Sequence, residues 1–321
     1  MLQRRLIEYE MDAQEMSASA IEELEQALAR SPDNLELRLR RLGTLRPRGL
    51  PWGEEVLWVV THHPEVNLRP DGSFLRLLEP DAYEPIVAAW EAHIARTPGD
   101  VHLLKALSSF VMHEDDARSE ELMRQCIRLE PHEPQGMADL ANFLGRHLVD
   151  APAEQRGAMA AEALSLHERA LWLETGELGA HLRLIDVAQA AAAAGQMGRA
   201  RQAAETALGE AARFESTWQF GNSIHHGNIV LGLVALDAGD IEEAARRLVD
   251  AGQTRGSPQL DSFGPDRELA NRLLAVGARE AVKTYLQDCQ RFWRMDRGRL
   301  DRALDRLDRG ETPTLWEDED E

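Results

Sequence analysis

Two adjacent histidines and an asparagine, His225-His226-x-Asn228, are the residues of this chain best suited to chemistry. Imidazole is a common metal ligand and titrates near neutral pH, so it can also serve as acid or base. Neighbours on a helix point about 100° apart, which makes it hard for both rings to bind one metal. A third ligand would have to come from elsewhere, and Asp261 and His181 are the candidates. The other reading is a hydrogen-bonded structural or ligand-contacting histidine, with Asn228 in the first turn of a helix. A second pair, His62-His63 in "THHPE" (61–65), stands just before Pro64, where histidine can bond the last carbonyls of a helix. "MHEDDARSEE" (112–121) gathers five acids around His113 but lacks the D-x-[DN]-x-[DN]-G spacing of a calcium loop. Asp115 and Asp116 suit a helix N-terminus, where the dipole favours acids. No nucleophile elbow, phosphate loop, kinase set or zinc pattern is present. The expectation is therefore no catalytic residue, no metal and no cofactor.

The elements that must position these residues are helices. The 321 residues are 43% hydrophobic and 29% charged, ample for a core and too balanced for a disordered chain. Aromatics make up only 5% while alanine abounds, which suits closely packed helices. No convincing strand is found, and "EEVLWVV" (54–60), the nearest approach, reads as helix in context. Prolines at helix ends give a ruler: Pro32, Pro64, Pro98 and Pro131 are separated by 32, 34 and 33 residues. A period near 34 fits a unit of two helices. A stricter signal is the spacing of small residues, seen in Ala20, Leu24 and Ala27 and again in Ala244, Leu248 and Ala251. It returns as Ala163, His167 and Ala170, as Ala200, Ala204 and Ala207, and more loosely as Ser119, Met123 and Cys126. Positions 3, 4 and 7 apart share a helical face, and small side chains there admit a neighbouring helix.

In this register the chain resembles the tetratricopeptide repeat family, whose first helix carries Leu-Gly and whose second carries the small residues. Residues 225–258 match best, through Leu231-Gly232, Ala235, the Gly239-Asp240 turn, Ala244, Leu248 and Ala251. Residues 181–214 follow, with Val187-Ala188, Gly195, Ala200, Ala204 and Ala207, then residues 100–133, with Phe110, Ser119, Cys126 and Pro131. Residues 265–293 form a further pair divided at Gly277, residues 35–99 keep the period with irregular helices, and "VDAPAEQRGAM" lengthens the unit at 134–176. The resemblance implies an all-α fold, a right-handed α-solenoid of about six or seven helix pairs over residues 1–310, ending in a helix at about 294–309. Residues 311–321 are expected to be a disordered acidic tail, with Trp316 a short linear contact. In the C-terminal half, "HHGNIVLG", "GSPQLDSFGP" and "QRFW" come in an order similar to a group of uncharacterised bacterial repeat proteins over roughly 221–293.

Such arrays act as scaffolds, and the expected function is non-catalytic binding of a protein or peptide on the concave face. Lys105, Asn142 and His226 fall on the inner face of first helices by spacing. Leu104, Ile185, Leu233 and Leu236 stand where a carboxylate clamp would need polar donors, so any groove in the C-terminal half reads as apolar and suited to an apolar or helical partner. The alternative is an enzyme or its accessory subunit, with a ligand or metal site around His225, His226 and the 252–265 loop. That loop exceeds the turn a repeat needs, and Leu260 and Phe263 within it either tuck under the last helix pair or serve function. The helix at 294–309 either caps the last repeat or docks on a partner, and self-association is left open. A formal charge of −20 disfavours nucleic acid and anionic membrane as partners. The expected location is the cytoplasm, since no secretory leader and no apolar run of membrane length is seen.

Overall fold

A computed structural model describes residues 8–13, 16–66, 68 and 72–316, and every described element is helical. It divides into two compact units, residues 1–136 and 137–321, with the boundary in the first turn of a helix.

After helical residues 8–13, the first unit contains α1 (Ala18–Arg30), α2 (Leu35–Leu45), α3 (Gly53–His62), α4 (Gly72–Leu78), α5 (Pro80–Arg96), α6 (Val101–Val111) and α7 (Asp116–Leu129). Ser17, Asn34, Asp100 and Asp115 cap α1, α2, α6 and α7 by accepting backbone N–H groups in the first turn. α3 lacks a cap of its own. Instead the Glu79 carboxylate accepts from the amides of Trp52 and Gly53 at 2.7 and 2.9 Å, placing negative charge on the positive helix end. The irregular stretch expected at 35–99 is seen as unequal helices of 11, 10, 7 and 17 residues, with a 3₁₀ turn at Arg46–Arg48. Its core includes Leu39, Val59, Ile86, Trp90 and Phe110. Within it Glu55 is 1% exposed, its carboxylate held by Arg38 at 3.0 Å and Arg41 at 2.5 Å. A buried carboxylate persists as a charge only with such partners.

The second unit runs from α8 (Pro134–His147) through α9 (Ala153–Leu173), α10 (Glu177–Ala193), α11 (Met197–Glu210) and α12 (Gln219–Asp237) to α13 (Ile241–Gly252). Short α14 (Pro258–Phe263), α15 (Glu268–Ala275), α16 (Arg279–Cys289) and α17 (Arg299–Asp308) complete it. The inserted residues after 149 lengthen α9 to 21 residues. From α9 to α13 each helix packs on the next, and α10 packs also on α12. The small-residue face is buried in four helices: Ser119, Met123 and Cys126 in α7, Ala163, His167 and Ala170 in α9, Ala200, Ala204 and Ala207 in α11, Ala244, Leu248 and Ala251 in α13. In α1 only Leu24 of the corresponding set is buried, with Ala20 and Ala27 half-buried. Gly195, Gly239 and Gly277 turn the chain between paired helices with φ of 68°, 79° and 85°, a region that disfavours a Cβ.

The C-terminal helix starts later than expected, at Arg299, because Gly298 adopts φ 77° and Asp296 accepts from the amides of Gly298 and Leu300. Leu300 and Leu307 are buried in the core that includes Leu286 and Cys289, so this helix caps the last pair. The expected disordered tail is corrected for residues 311–316. Leu315 is 1% exposed, its amide donates to Asn271 Oδ1 at 2.8 Å, and Trp316 meets Trp293 edge-on at 5.0 Å. Arg279 anchors the preceding turn by donating to the carbonyls of Leu307, Gly310 and Glu311. Residues 317–321 lie outside the described residues.

Candidate functional site

The second unit concentrates buried polar groups on the N-terminal half of α12, where Gln219, Asn222, Ser223, His225 and Asn228 are all buried. The histidine pair therefore does not stand at the start of a first helix. α12 begins six residues earlier, at Gln219, whose amide is received by Thr217 Oγ1 at 3.2 Å. His225 is fully buried, and both its ring nitrogens are engaged. Nδ1–H donates to the carbonyl of Ala251 at 3.2 Å, and Nε2 accepts the amide of Asp266 at 3.0 Å. Loss of solvation, reinforced by His226, drives its pKa down to about 3, so the ring is neutral. The metal reading of His225 is corrected by this bonding, since no lone pair is left for a cation. Among the described residues no group of three or more His, Cys, Asp or Glu is placed to hold a metal.

Asn228 is likewise structural. Its amide donates to Ile224 O at 2.9 Å and its carbonyl accepts from Arg247 at 3.1 Å, tying α12 to α13. Leu233 belongs to the buried core with Leu269 and Leu273, and Leu236 packs partly against it. The apolar groove expected in the C-terminal half is thus largely filled, and Ile185 is buried too, as is Leu104 within the first unit. Lys105 belongs to the first unit and pairs with Glu130 at 3.1 Å on the surface. Asn142, in the second unit, is exposed on α8.

The 252–265 segment is a packed strap with one helical turn in it. Gly221 approaches so closely that a Cβ there would lie 1.9 Å from the carbonyl oxygen of Gly256. Thr254 Oγ1 donates to Gly221 O at 2.9 Å, and Ser257 Oγ donates to Asn222 Oδ1 at 2.5 Å. Arg294 clamps Asp261 through its side chain and its amide, which removes Asp261 as a metal ligand. Gly256 and Gly264 lie where a Cβ would strike Phe292 and Trp293 at 2.5 Å. The segments 225–232, 256–265 and 290–293 meet here, His225 edge-on to Phe292 at 6.3 Å and Phe292 against Gly256. Leu260 tucks in as expected, but Phe263 does not: it points to solvent at 86% exposure.

His181, fully buried and stacked on Phe214 at 4.4 Å, lies 2.7 Å from Ser223 Oγ and 3.7 Å from Glu210. Serine, histidine and glutamate in this order match the parts of a hydrolytic triad. Here Ser223 is fully buried and its hydroxyl donates to Gln219 O at 3.0 Å, so it joins two turns of α12 and offers no nucleophile to a substrate. Nothing in the spacing of residues 181, 210 and 223 signals this contact, because it joins three helices.

His226 remains as the histidine facing outward. It is half-buried, Gln189 Nε2 lies 3.3 Å from its Nδ1, and lost solvation lowers its pKa against the opposing pull of Asp266 and Asp186. Next to Gln189 a cavity of about 90 Å³ opens between α10, α12 and α15, with Ile229 and Leu233 in its wall and Asp266 and Glu268 beside them. No protein-family model matches the chain. No curated protein matches it either.

Proposed function

We propose that this chain is a non-catalytic scaffold, a right-handed tetratricopeptide-like array that holds a protein or peptide on the inner face of its first helices, in the cytoplasm. The observation that carries the reading is the small-residue face of α7, α9, α11 and α13, buried in each case. In the second unit, nearest-neighbour packing of α9 to α13 supports a stack of repeats, an architecture whose surfaces are used for binding. The candidate surface shifts from His225 and Asn228, whose polar atoms bond within the fold, to His226, Gln189 and the cavity near them, with Leu233 in its wall. Phe263 is too far exposed to be a core plug and remains a candidate contact of its own.

The test is selection of peptides from a random dodecapeptide library on the full chain, followed by fluorescence anisotropy on the purified peptides. Saturable binding that weakens at least fivefold in Gln189→Ala or His226→Ala, with an unchanged melting temperature, supports the reading. Failure to select any saturable binder contradicts it.

A further inference from the structure

We infer that the cavity between α10, α12 and α15 is a receptor for one basic side chain, lysine or arginine, of the bound peptide. This rests on the peptide-binding reading above and names the chemistry of its central contact.

The cavity has two kinds of wall. Met197, Ile229 and Leu233 supply apolar surface, and the charged side is formed by Asp266 and Glu268 with Arg272, two acids to one cation. A methylene stem ending in a cation is the side chain that satisfies both, since lysine and arginine bury their stems while the charged head seeks polar partners. A volume of about 90 Å³ suits one side chain and excludes a folded element.

The charge balance of the lining is uneven. Glu268 has a partner in Arg272, at a loose 3.8 Å. Asp266 has no Lys or Arg partner among the described residues; its Oδ1 accepts only the backbone amide of Glu268, at 2.8 Å. Lost solvation lowers the pKa of nearby His226, against the pull of Asp266. A carboxylate half removed from water beside apolar walls gains more from a cation than one on an open surface. The whole chain points the same way, because its net charge of −20 draws cationic segments toward it and repels acidic ones.

Asp266 is also the best-anchored group of the mouth. Its amide donates to His225 Nε2, and its carbonyl accepts from the buried Tyr285 hydroxyl at 2.5 Å. The purpose of a satisfied core histidine becomes plain: it fixes the backbone that presents the carboxylate. Rigid presentation reduces what binding must spend on ordering.

The experiment uses the peptides selected on the full chain. In each, the basic residue is replaced by norleucine, which keeps the stem and removes the charge, and Kd is measured for the native chain and for Glu268→Gln and Arg272→Ala. The inference expects a basic residue in the selected peptides, a loss of at least tenfold with norleucine, a weaker loss in Glu268→Gln, and tighter binding in Arg272→Ala. Peptides that bind without a basic residue, or that tolerate norleucine, overturn the cation pocket and leave the scaffold standing. An empty selection overturns both. The norleucine arm needs no altered protein, so a variant that fails to fold does not decide the outcome.

Discussion

The ring of His225 and the backbone of Asp266, 41 residues apart, meet in a 3.0 Å hydrogen bond that joins α12 to the strap after α14. On the other side of the ring Nδ1 reaches Ala251, the end of α13, so one imidazole ties three segments together. Its neighbour His226 is half-buried and has one side-chain amide contact, with Gln189, a residue that lines the cavity. Two residues of the same type, adjacent in sequence, thus carry opposite roles.

This contrast predicts that His225→Ala and His226→Ala differ sharply. Loss of two buried hydrogen bonds and the packing of a ring should cost about 3 kcal/mol or more at His225. At His226 the cost should stay below about 1 kcal/mol. Urea unfolding of both variants measures it, and equal losses would show that His226 is also structural.

The buried histidines predict acid sensitivity. Burial lowers the pKa of His167, His181, His225 and His226, and His225 lies at about 3 in the folded chain. The unfolded chain binds a proton on each ring near the ordinary value of 6.5, before the folded chain does. Stability from these rings is complete above pH 6.5 and declines as pH falls below it, for His225 down to about 3. For His225 the slope is about 1.4 kcal/mol per pH unit in that window. His225→Gln removes its share, so the difference in unfolding free energy between native and variant chains should shrink from pH 7 to pH 4. A difference that stays constant would mean that His225 takes up its proton in the fold as readily as in the unfolded chain.

Close backbone contact at the strap predicts that Gly221→Ala is severe. A methyl group would overlap the carbonyl of Gly256, and backbone cannot yield as a flexible side chain does. A loss of about 3 kcal/mol is expected, against about 1 kcal/mol for Gly239→Ala, which meets open space and carries only the cost of its positive φ. Thermal melts followed by circular dichroism give the comparison.

Removal of the tail after Gly310 should destabilise the second unit, because Leu315 and Trp316 go with it. Leu315→Ala alone should cost about 2–3 kcal/mol as a buried leucine. A truncated chain with an unchanged melting temperature would show that residues 311–316 do not pack.

Much of the helix register was legible in the sequence, for a local reason. Ala244, Leu248 and Ala251 share one face, and their spacing on the chain is already the spacing on the helix. Gly195, Gly239 and Gly277 marked turns because φ near 70–85° is a property of a single residue. The site was less legible because it is made of long-range contacts. Leu260 and Phe263 look alike in sequence, and only the short helix between Ser257 and Gly264 turns one inward and the other out. The His225–Asp266 bond, the Ser223–His181 bond and the burial of Glu55 between Arg38 and Arg41 join separate helices, which no period of 3.6 or 34 residues encodes. Trp316 fell within an acidic run, and composition hid the two apolar residues that anchor it.

Hydrogen exchange of the full chain, with and without a saturating selected peptide, tests the binding role most directly. Slowed exchange in residues 177–193 and 219–237, with residues 197–210 and 241–252 unchanged, is the predicted result. Protection confined to 197–210 and 241–252, or none at all, would contradict a partner held on the first helices.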